Sequence, residues 1–423
     1  MREMKDSGVE WIGEIPENWC LNRLKLASTY NDESLKESCD SEMEIEYVEI
    51  GSVTLEKGVE RTEIMRFKDA PSRARRIARK NDIIISTVRT YLRAIALIEK
   101  ENYIVSTGFC VIRPKKCVDS RFLKYFCSSE LFTDQVSACS VGISYPAINA
   151  STLMDFHIIC PSLYEQGRIA DFLDKKCFQV DTLIANVQAQ IEKLKAYKQS
   201  LITEVVTKGL DPTVPMKDSG VEWIGDAPSH WPVIPSKFLF ANCDERRREN
   251  DVQLTASQKY GMISQEEYMQ RENARIVLAD KGLENWKHVE PYDFVISLRS
   301  FQGGLEMSEV TGCATWHYIV LRARQIIHPY YYKWLFKSSM YITALQRTCN
   351  YIRDGQDLRY SNFVKVPLCI PPISEQRQIA DFLDEKCAQI EKLIAIKQAK
   401  IEKLEQYKKS LIYEYVTGKR EVS

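Results

Sequence analysis

The stretch RFKDAPSRARRIARK, from Arg66 to Lys80, holds seven basic residues against one acid. Arg66, Lys68, Arg73, Arg75, Arg76, Arg79 and Lys80 would offer a positive surface to a polyanion, and Arg89 and Arg93 follow shortly after. Lysine and arginine clusters neutralise phosphates, whereas telling bases apart needs Arg, Lys, Asn or Gln aimed at base edges. A solvated charged face is the competing account of such a run. Position favours nucleic-acid contact, because the run leads into DIIIST, an apolar strand beginning at Asp82 and ending close to Arg89.

Two loops carry residues suited to base edges. SLRSFQGG, Ser297 to Gly304, follows the strand DFVIS and offers Arg299, Ser300 and Gln302, with paired glycines that permit close backbone approach; a tight turn with an incidental arginine is the alternative. GISYPAIN, Gly142 to Asn149, offers Ser144, Tyr145 and Asn149, and reads equally well as a structural turn before the strand of Phe156. The aromatic run YYYKW, Tyr330 to Trp334, reads as a helix core face rather than a base-stacking platform.

Catalytic patterns are missing. There is no GxxxxGK[ST] phosphate loop, no Gly-rich dinucleotide loop and no N/D-P-P-Y/F tetrapeptide, and the five histidines are too dispersed in sequence to suggest a metal cluster or triad. Thirteen cysteines without a CxxC pair imply reduced thiols and no structural metal. No apolar run approaches the ~20 residues that span a bilayer, so no membrane is expected as a partner and a cytoplasmic location is. With 58 basic and 58 acidic residues, only local clustering could announce a nucleic-acid partner. The chain therefore reads as a non-catalytic reader or scaffold.

The elements that must hold these loops are duplicated. MKDSGVEWIG occurs at Met4 to Gly13 and again at Met216 to Gly225. Glu165 to Gly209 matches Glu375 to Lys419 in fixed register at an offset of 210, with IADFLD, IEKL and SLI identical. The segments between look dissimilar but keep their order of elements: strand with arginine, helix, strand, shared helix. Length alone predicts more than one domain. The boundaries expected are 1–160 and 211–370 for two variable globules, each with its opening repeat, and 161–210 and 371–423 for two shared helical regions. Trp11 and Trp223, in the opening repeat, are expected to pack it against the helices.

Each shared region shows a heptad seam. Leu173, Val180, Val187 and Leu194, interleaved with Ile184 and Ile191, face Leu383, Ile390 and Leu404, interleaved with Ile394 and Ile401. Lys397 interrupts the second seam, and Lys198 and Lys408 occupy matching gaps. Long amphipathic helices are rarely stable alone, so the two are expected to pair antiparallel as a coiled coil, giving a pseudo-twofold repeat; packing of each helix on its own globule is the alternative. The fold class expected is α+β, with two mixed α/β globules and two long antiparallel helices.

Taken together, KDSGVEWIGEIPENW and its second copy, EQxxIADFLDxK twice, SLIxExVT twice, GISYPAIN and SLRSFQGG resemble the specificity subunit of a type I restriction-modification system. The resemblance covers essentially the whole chain. It implies that each globule is a target recognition domain reading half of a split, asymmetric site in double-stranded DNA, and that the helices fix the gap between half-sites. It also implies two DNA adenine methyltransferase subunits and ATP-driven restriction/translocase subunits as partners, with S-adenosylmethionine, ATP and Mg on those partners and no cofactor in this chain. One departure is that the second globule has YIRDGQDLRYSNF where the first has GISYPAIN, so Arg353 and Arg359 are candidate DNA contacts by position alone. A coiled-coil adaptor with two protein-binding globules, or a stand-alone enzyme, would be the rival identities.

Overall fold

The computed structural model describes residues 2–422 apart from 276–278, 280, 299 and 349–357. The chain divides into two compact units, Met1–Val187 with Ala399–Ser423, and Gln188–Gln398. Each unit takes one globule and part of both long helices, Leu163–Lys208 and Ile373–Val416.

In the first unit the decapeptide folds as a small hairpin, with Met4 opposite Pro16 and Asp6 opposite Glu14. Asp6 closes its turn by accepting a hydrogen bond from the Gly8 N–H at 2.9 Å, the Asx geometry that short acceptors favour in turns. The copy in the second unit repeats this, with Met216 opposite Pro228 and Asp218 accepting from the Gly220 N–H at 2.9 Å. These polar groups are spent on the turn itself.

DIIIST forms the strand Ile83–Ser86, and its three isoleucines are buried because the strand lies inside a sheet covered on both faces. Across that sheet the order is Ile95–Leu97, Ile83–Ser86, Phe109–Pro114, Ser28–Tyr30. In the second unit the order is Glu306–Met307, Phe294–Ile296, Ile319–Ala323, Phe240–Cys243. Numbered by their sequence within each sheet, both read 3-2-4-1, so two globules with dissimilar sequences share one sheet topology. They differ beside it. The first carries another four-stranded sheet, Glu63–Arg66, Glu44–Val48, Tyr103–Ser106, Ala74–Ala78, whereas the second carries the hairpins Leu254–Ser257 with Gly261–Ser264 and Lys287–Val289 with Gly312–Ala314.

Both accounts of the long helices hold in part. Near their ends they are core helices: Ile169, Leu173 and Cys177 join Leu411, Tyr415 and Val416 in the first core, and Ile202, Val205 and Val206 join Ile379, Leu383 and Cys387 in the second. Towards their middles they pair with each other. Val180, Val187, Ile191, Ile390 and Ile401 are buried, and Ile184, Leu194, Ile394 and Leu404 are half-buried. Lysines in the seam gaps take polar partners on the opposite helix: Lys408 bonds Asp181 at 2.7 Å in the first unit, and Lys198 bonds Glu391 while Lys397 bonds Gln190 at 2.6 Å in the second. Numbers rise along one helix as they fall along the other, so the pairing is antiparallel within each unit.

Tryptophans join the opening repeat to cores that the long helices share, Trp223 with Ile202, Val205 and Val206, and Trp11 against the cluster of Ile169 and Leu173, and they touch the globule as well. Trp11 lies against Phe156 at 6.2 Å and Trp223 donates to the Pro367 carbonyl at 3.1 Å, both partners in the globule. The helix start is met by the next tryptophans. Trp19 donates its indole N–H to Glu165 at 3.2 Å and Trp231 to Glu375 at 2.9 Å. A buried indole needs such an acceptor, and the first turn of a helix suits a carboxylate. Gly418, in the left-handed conformation past the second helix, lies so close to Pro16 and Trp19 that no Cβ would fit. Tyr331 and Tyr332 are fully buried, as the core-face reading of YYYKW requires.

Candidate nucleic-acid interface

Beyond Ser86 the central strand of the first unit runs into Thr87, Val88 and Arg89. Arg89 and Arg93 both adopt the left-handed conformation, with φ of 51° and 48°, on either side of a short turn, Thr90–Leu92. For a residue with a Cβ this costs about 1–2 kcal/mol, so surrounding contacts must hold it. Those contacts come from the second candidate loop. Ile148 donates its N–H to the Thr87 carbonyl at 2.9 Å, and the Thr90 hydroxyl donates to Ser140 at 2.8 Å. Val88 and Val141 each bridge to Ala147.

GISYPAIN is thereby closed into a turn by a single antiparallel residue pair. Val141 and Ala147 exchange both backbone hydrogen bonds at 2.9 Å. Gly142 turns the chain at a φ of 114°, where an added Cβ would meet the Tyr145 carbonyl oxygen at 3.1 Å. The Arg89 guanidinium sits over the Tyr145 ring, 5.2 Å from its centroid. Sequence-distant candidates are thus brought together: Arg89, Ser144 and Tyr145 share one exposed tip, and Asn149 lies exposed where the helix Ala150–Met154 begins. Arg93 is turned to Asp134 at 2.8 Å.

The basic run does not form a single cluster. Arg66 and Lys68 share Glu42, at 2.9 and 2.6 Å, and Arg73 pairs with Glu49. Arg75 lies over the Phe67 ring at 4.8 Å, Arg76 is half-buried so that desolvation lowers its pKa, and Lys80 is exposed. Arg79 pairs with Glu33. Acids distant in sequence, invisible in a local charge count, offset much of the run.

In the second unit Arg299 and Arg353 lie outside the described residues. Ser300 is withdrawn from the contacts expected of it: it is buried, and its hydroxyl accepts the Ser297 N–H at 2.8 Å to start the short helix Ser300–Gly303. The paired glycines also serve the protein rather than a ligand. A Cβ on Gly304 would lie 2.0 Å from the Phe336 carbonyl oxygen, and one on Gly303 2.4 Å from Gln258. Gln302 and Arg359 are exposed.

One arrangement escaped the sequence reading altogether. Asp82, buried at the start of its strand, accepts the Arg79 N–H at 2.8 Å and a two-pronged bond from Arg113, at 2.9 and 2.8 Å. Glu33 completes the set at 2.8 Å from Arg113, and Arg79 and Arg113 together hold its carboxyl down to about 2. The second unit builds the same clasp from Asp293, Arg322 and Glu245, with bonds from Arg322 to Asp293 at 2.9 and 2.7 Å and Asp293 accepting the Glu290 N–H at 2.9 Å. Bidentate guanidinium–carboxylate pairs are geometrically specific, and each clasp ties strand 2 to strand 4 of its sheet. The available signal was an Asp before each apolar strand and an Arg late in its partner.

Beside the second clasp, Glu245, His288 and Glu290 could bring three ligand atoms together. His288 is buried, with Nδ1 2.8 Å from Asp251 and Nε2 3.4 Å from Glu290. The same carboxylates already carry cations: Arg248 pairs with Glu245 and Glu290 at 2.6 and 3.1 Å, and Arg322 with Glu245 at 3.5 Å. Arg248 lowers the Glu245 pKa and Arg322 that of Glu290, as in an ion-pair network. Two guanidiniums at these oxygens leave little negative charge for a metal. No described helix is long and apolar enough to cross a membrane.

Comparison with known proteins agrees with this layout. The family described as "Type I restriction modification DNA specificity domain" matches residues 40–195 and again 240–406. The chain is 22% identical over 437 residues to the provisionally named type I restriction enzyme MjaX specificity subunit of Methanocaldococcus jannaschii, covering 96% of this chain and 95% of that one. A chain solved for complex assembly and conformational transition of the type I R-M system superposes with a TM-score of 0.72 at 21% identity, covering 95% of this chain and 98% of that one. The HsdS subunit from Thermoanaerobacter tengcongensis superposes at 0.52 with 21% identity, covering 96% and 98%. Two family domains in tandem, on a repeated framework of sheet, clasp and long helix, place the chain among the DNA specificity subunits of type I restriction-modification systems.

Proposed function

We propose that each globule reads one half of a bipartite, asymmetric site in double-stranded DNA, and that the helices scaffold two DNA adenine methyltransferase subunits and the restriction/translocase subunits. The observation that carries this is a constant framework with unlike surroundings: both globules share the sheet order 3-2-4-1, but the first sets a second four-stranded sheet beside it and the second sets two hairpins there. Equal frameworks support two readers, and unequal surroundings support two different half-sites. Phosphate contact would fall to exposed cations such as Arg89 and Lys80, which carry no base information themselves.

Scaffolding is supported by apolar side chains that the helix pair leaves exposed at repeat-equivalent positions, Leu183 with Leu393 and Tyr197 with Tyr407. Exposed apolar stripes on paired helices suit further helices from partners. In this reading the chain catalyses nothing itself. S-adenosylmethionine, ATP and Mg act on the partner subunits, and the chain selects where.

Methylation mapping of DNA exposed to the assembled methyltransferase tests the proposal. The expected product is a two-part, non-palindromic motif, and exchanging the first globule should change one part only. Removing a matched heptad from both helices shortens them by about 10 Å, which should shorten the gap by roughly three base pairs. An unchanged gap would end the ruler role, and a continuous or palindromic motif would end the two-reader proposal.

A further inference from the structure

The turn at 141–147 carries a feature that folding does not explain. Ile143, at its tip, has a relative exposure of 103%, and Val141 and Tyr145 on the same turn, with Tyr91 and Leu92 on the loop bonded to it through Thr90 and Val88, are also exposed. Five large apolar side chains collected on two interlocked loops are unlike the single exposed apolar residues that any surface shows. The patch is rigid: Val141 and Ala147 pair in both directions, Thr90 and Ser140 are hydrogen-bonded, and Gly142 holds a turn no larger residue fits easily. An exposed guanidinium, Arg89, lies over Tyr145 at its margin, which favours a polyanion over an apolar protein groove as occupant.

Dimensions narrow the contact. The two arms of a turn closed by one antiparallel pair lie about 5 Å apart, and side chains widen it, so it suits the ~12 Å major groove better than the ~6 Å minor groove. In the major groove the apolar feature that distinguishes one base from another is the C5 methyl of thymine. Resting on the DNA-reading role proposed above, the geometry points to Ile143 as a specificity-determining residue that recognises a thymine methyl group in the half-site of the first globule, with Tyr145 and Arg89 shaping the tip around it. The half-site must then contain a thymine on one strand or the other.

The test uses the assembled specificity–methyltransferase complex and duplexes carrying its mapped site, with deoxyuridine replacing thymine one position at a time. Uracil keeps every hydrogen-bonding group and lacks only the methyl. One position in one half-site should lose about fourfold in affinity for the wild-type complex, the effect of one buried methyl group. Ile143→Ala should bind the thymine duplex at about the uracil level and show no further loss with uracil, and Ile143→Val should fall between. Because Ile143 is fully exposed, neither variant should move the unfolding midpoint. Affinity within twofold at every uracil position, or a half-site without thymine, overturns the inference. Loss of methyltransferase assembly by Ile143→Asp before DNA is added overturns it too, since the patch would then be a protein interface. Absence of any sequence-selective binding by the wild-type complex would instead remove the DNA-reading role itself.

Discussion

Replacing Asp82 by Asn tests whether the clasp stabilises the sheet. The carboxylate is buried and accepts three hydrogen bonds, one from the Arg79 N–H and two from Arg113. Asparagine fills the same volume but can turn only one oxygen toward these donors, and its amide N–H groups then face the guanidinium. Breaking a buried ion pair costs about 3–5 kcal/mol. Arg113 keeps Glu33 at 2.8 Å and is itself a third exposed, so solvent and the second acid offset part of that. We expect about 2–3 kcal/mol, confined to the sheet around Ile83–Ser86 and Phe109–Pro114.

Hydrogen exchange followed by mass spectrometry reads this locally. In peptides covering those strands, 2–3 kcal/mol corresponds to roughly 30- to 150-fold faster exchange for amides that open with the sheet. Peptides over Phe294–Ile296 and Ile319–Ala323 should be unaffected. Asp293→Asn should give the mirror outcome at similar size, because Arg322 meets Asp293 with nearly the same distances. A change below threefold in both variants would refute the idea that the clasp holds strands 2 and 4 together, and a large effect in only one would refute the equivalence of the two clasps.

Gly304→Ala should destabilise the second globule by about 2 kcal/mol or more, because the new Cβ meets the Phe336 carbonyl at 2.0 Å in a left-handed conformation; Gly303→Ala should cost less, since it meets only the movable Gln258 side chain. Urea midpoints of the two variants check the ranking. Glu33 titrates near 2 in the fold, below its ordinary value, so its contribution is fully present above the ordinary carboxylate range and is lost as pH falls through about 2. Acid unfolding curves of wild type and Glu33→Gln should therefore be separated at pH 6 and converge by pH 2.

Much of the plan was legible in residues alone, for definite reasons. The duplicated helices announce themselves through a seven-residue period, and periodicity survives where side-chain identity drifts. The strands of Ile83–Ile85 and Phe294–Ile296 were legible because unbroken apolar runs imply burial on both faces. The candidate site was less so. Arg66, Lys68, Arg73 and Arg79 looked like one positive surface because their partners, Glu42, Glu49 and Glu33, lie elsewhere in the chain and are brought back only by sheet pairing. Ser300 looked available because a capping hydroxyl and a ligand-binding hydroxyl have the same local sequence. The meeting of Arg89 with Tyr145 depends on the bridges through Ala147, a tertiary fact with no local signature.

The joint between each globule and its long helix has a mechanical consequence. Gln166 is buried, accepts the Asp119 N–H at 2.9 Å and donates to the Pro161 carbonyl at 2.9 Å. Gln376 does the same with the His328 N–H and the Pro371 carbonyl, both at 2.8 Å. The chain passes from strand to helix through this cross-braced elbow with no flexible spacer. A globule so fixed cannot swivel on its helix without breaking buried amide bonds, so any torque on the globule would pass into the helix as rotation. Each globule and its stretch of long helix would therefore turn together, as the two arms of a rigid lever do.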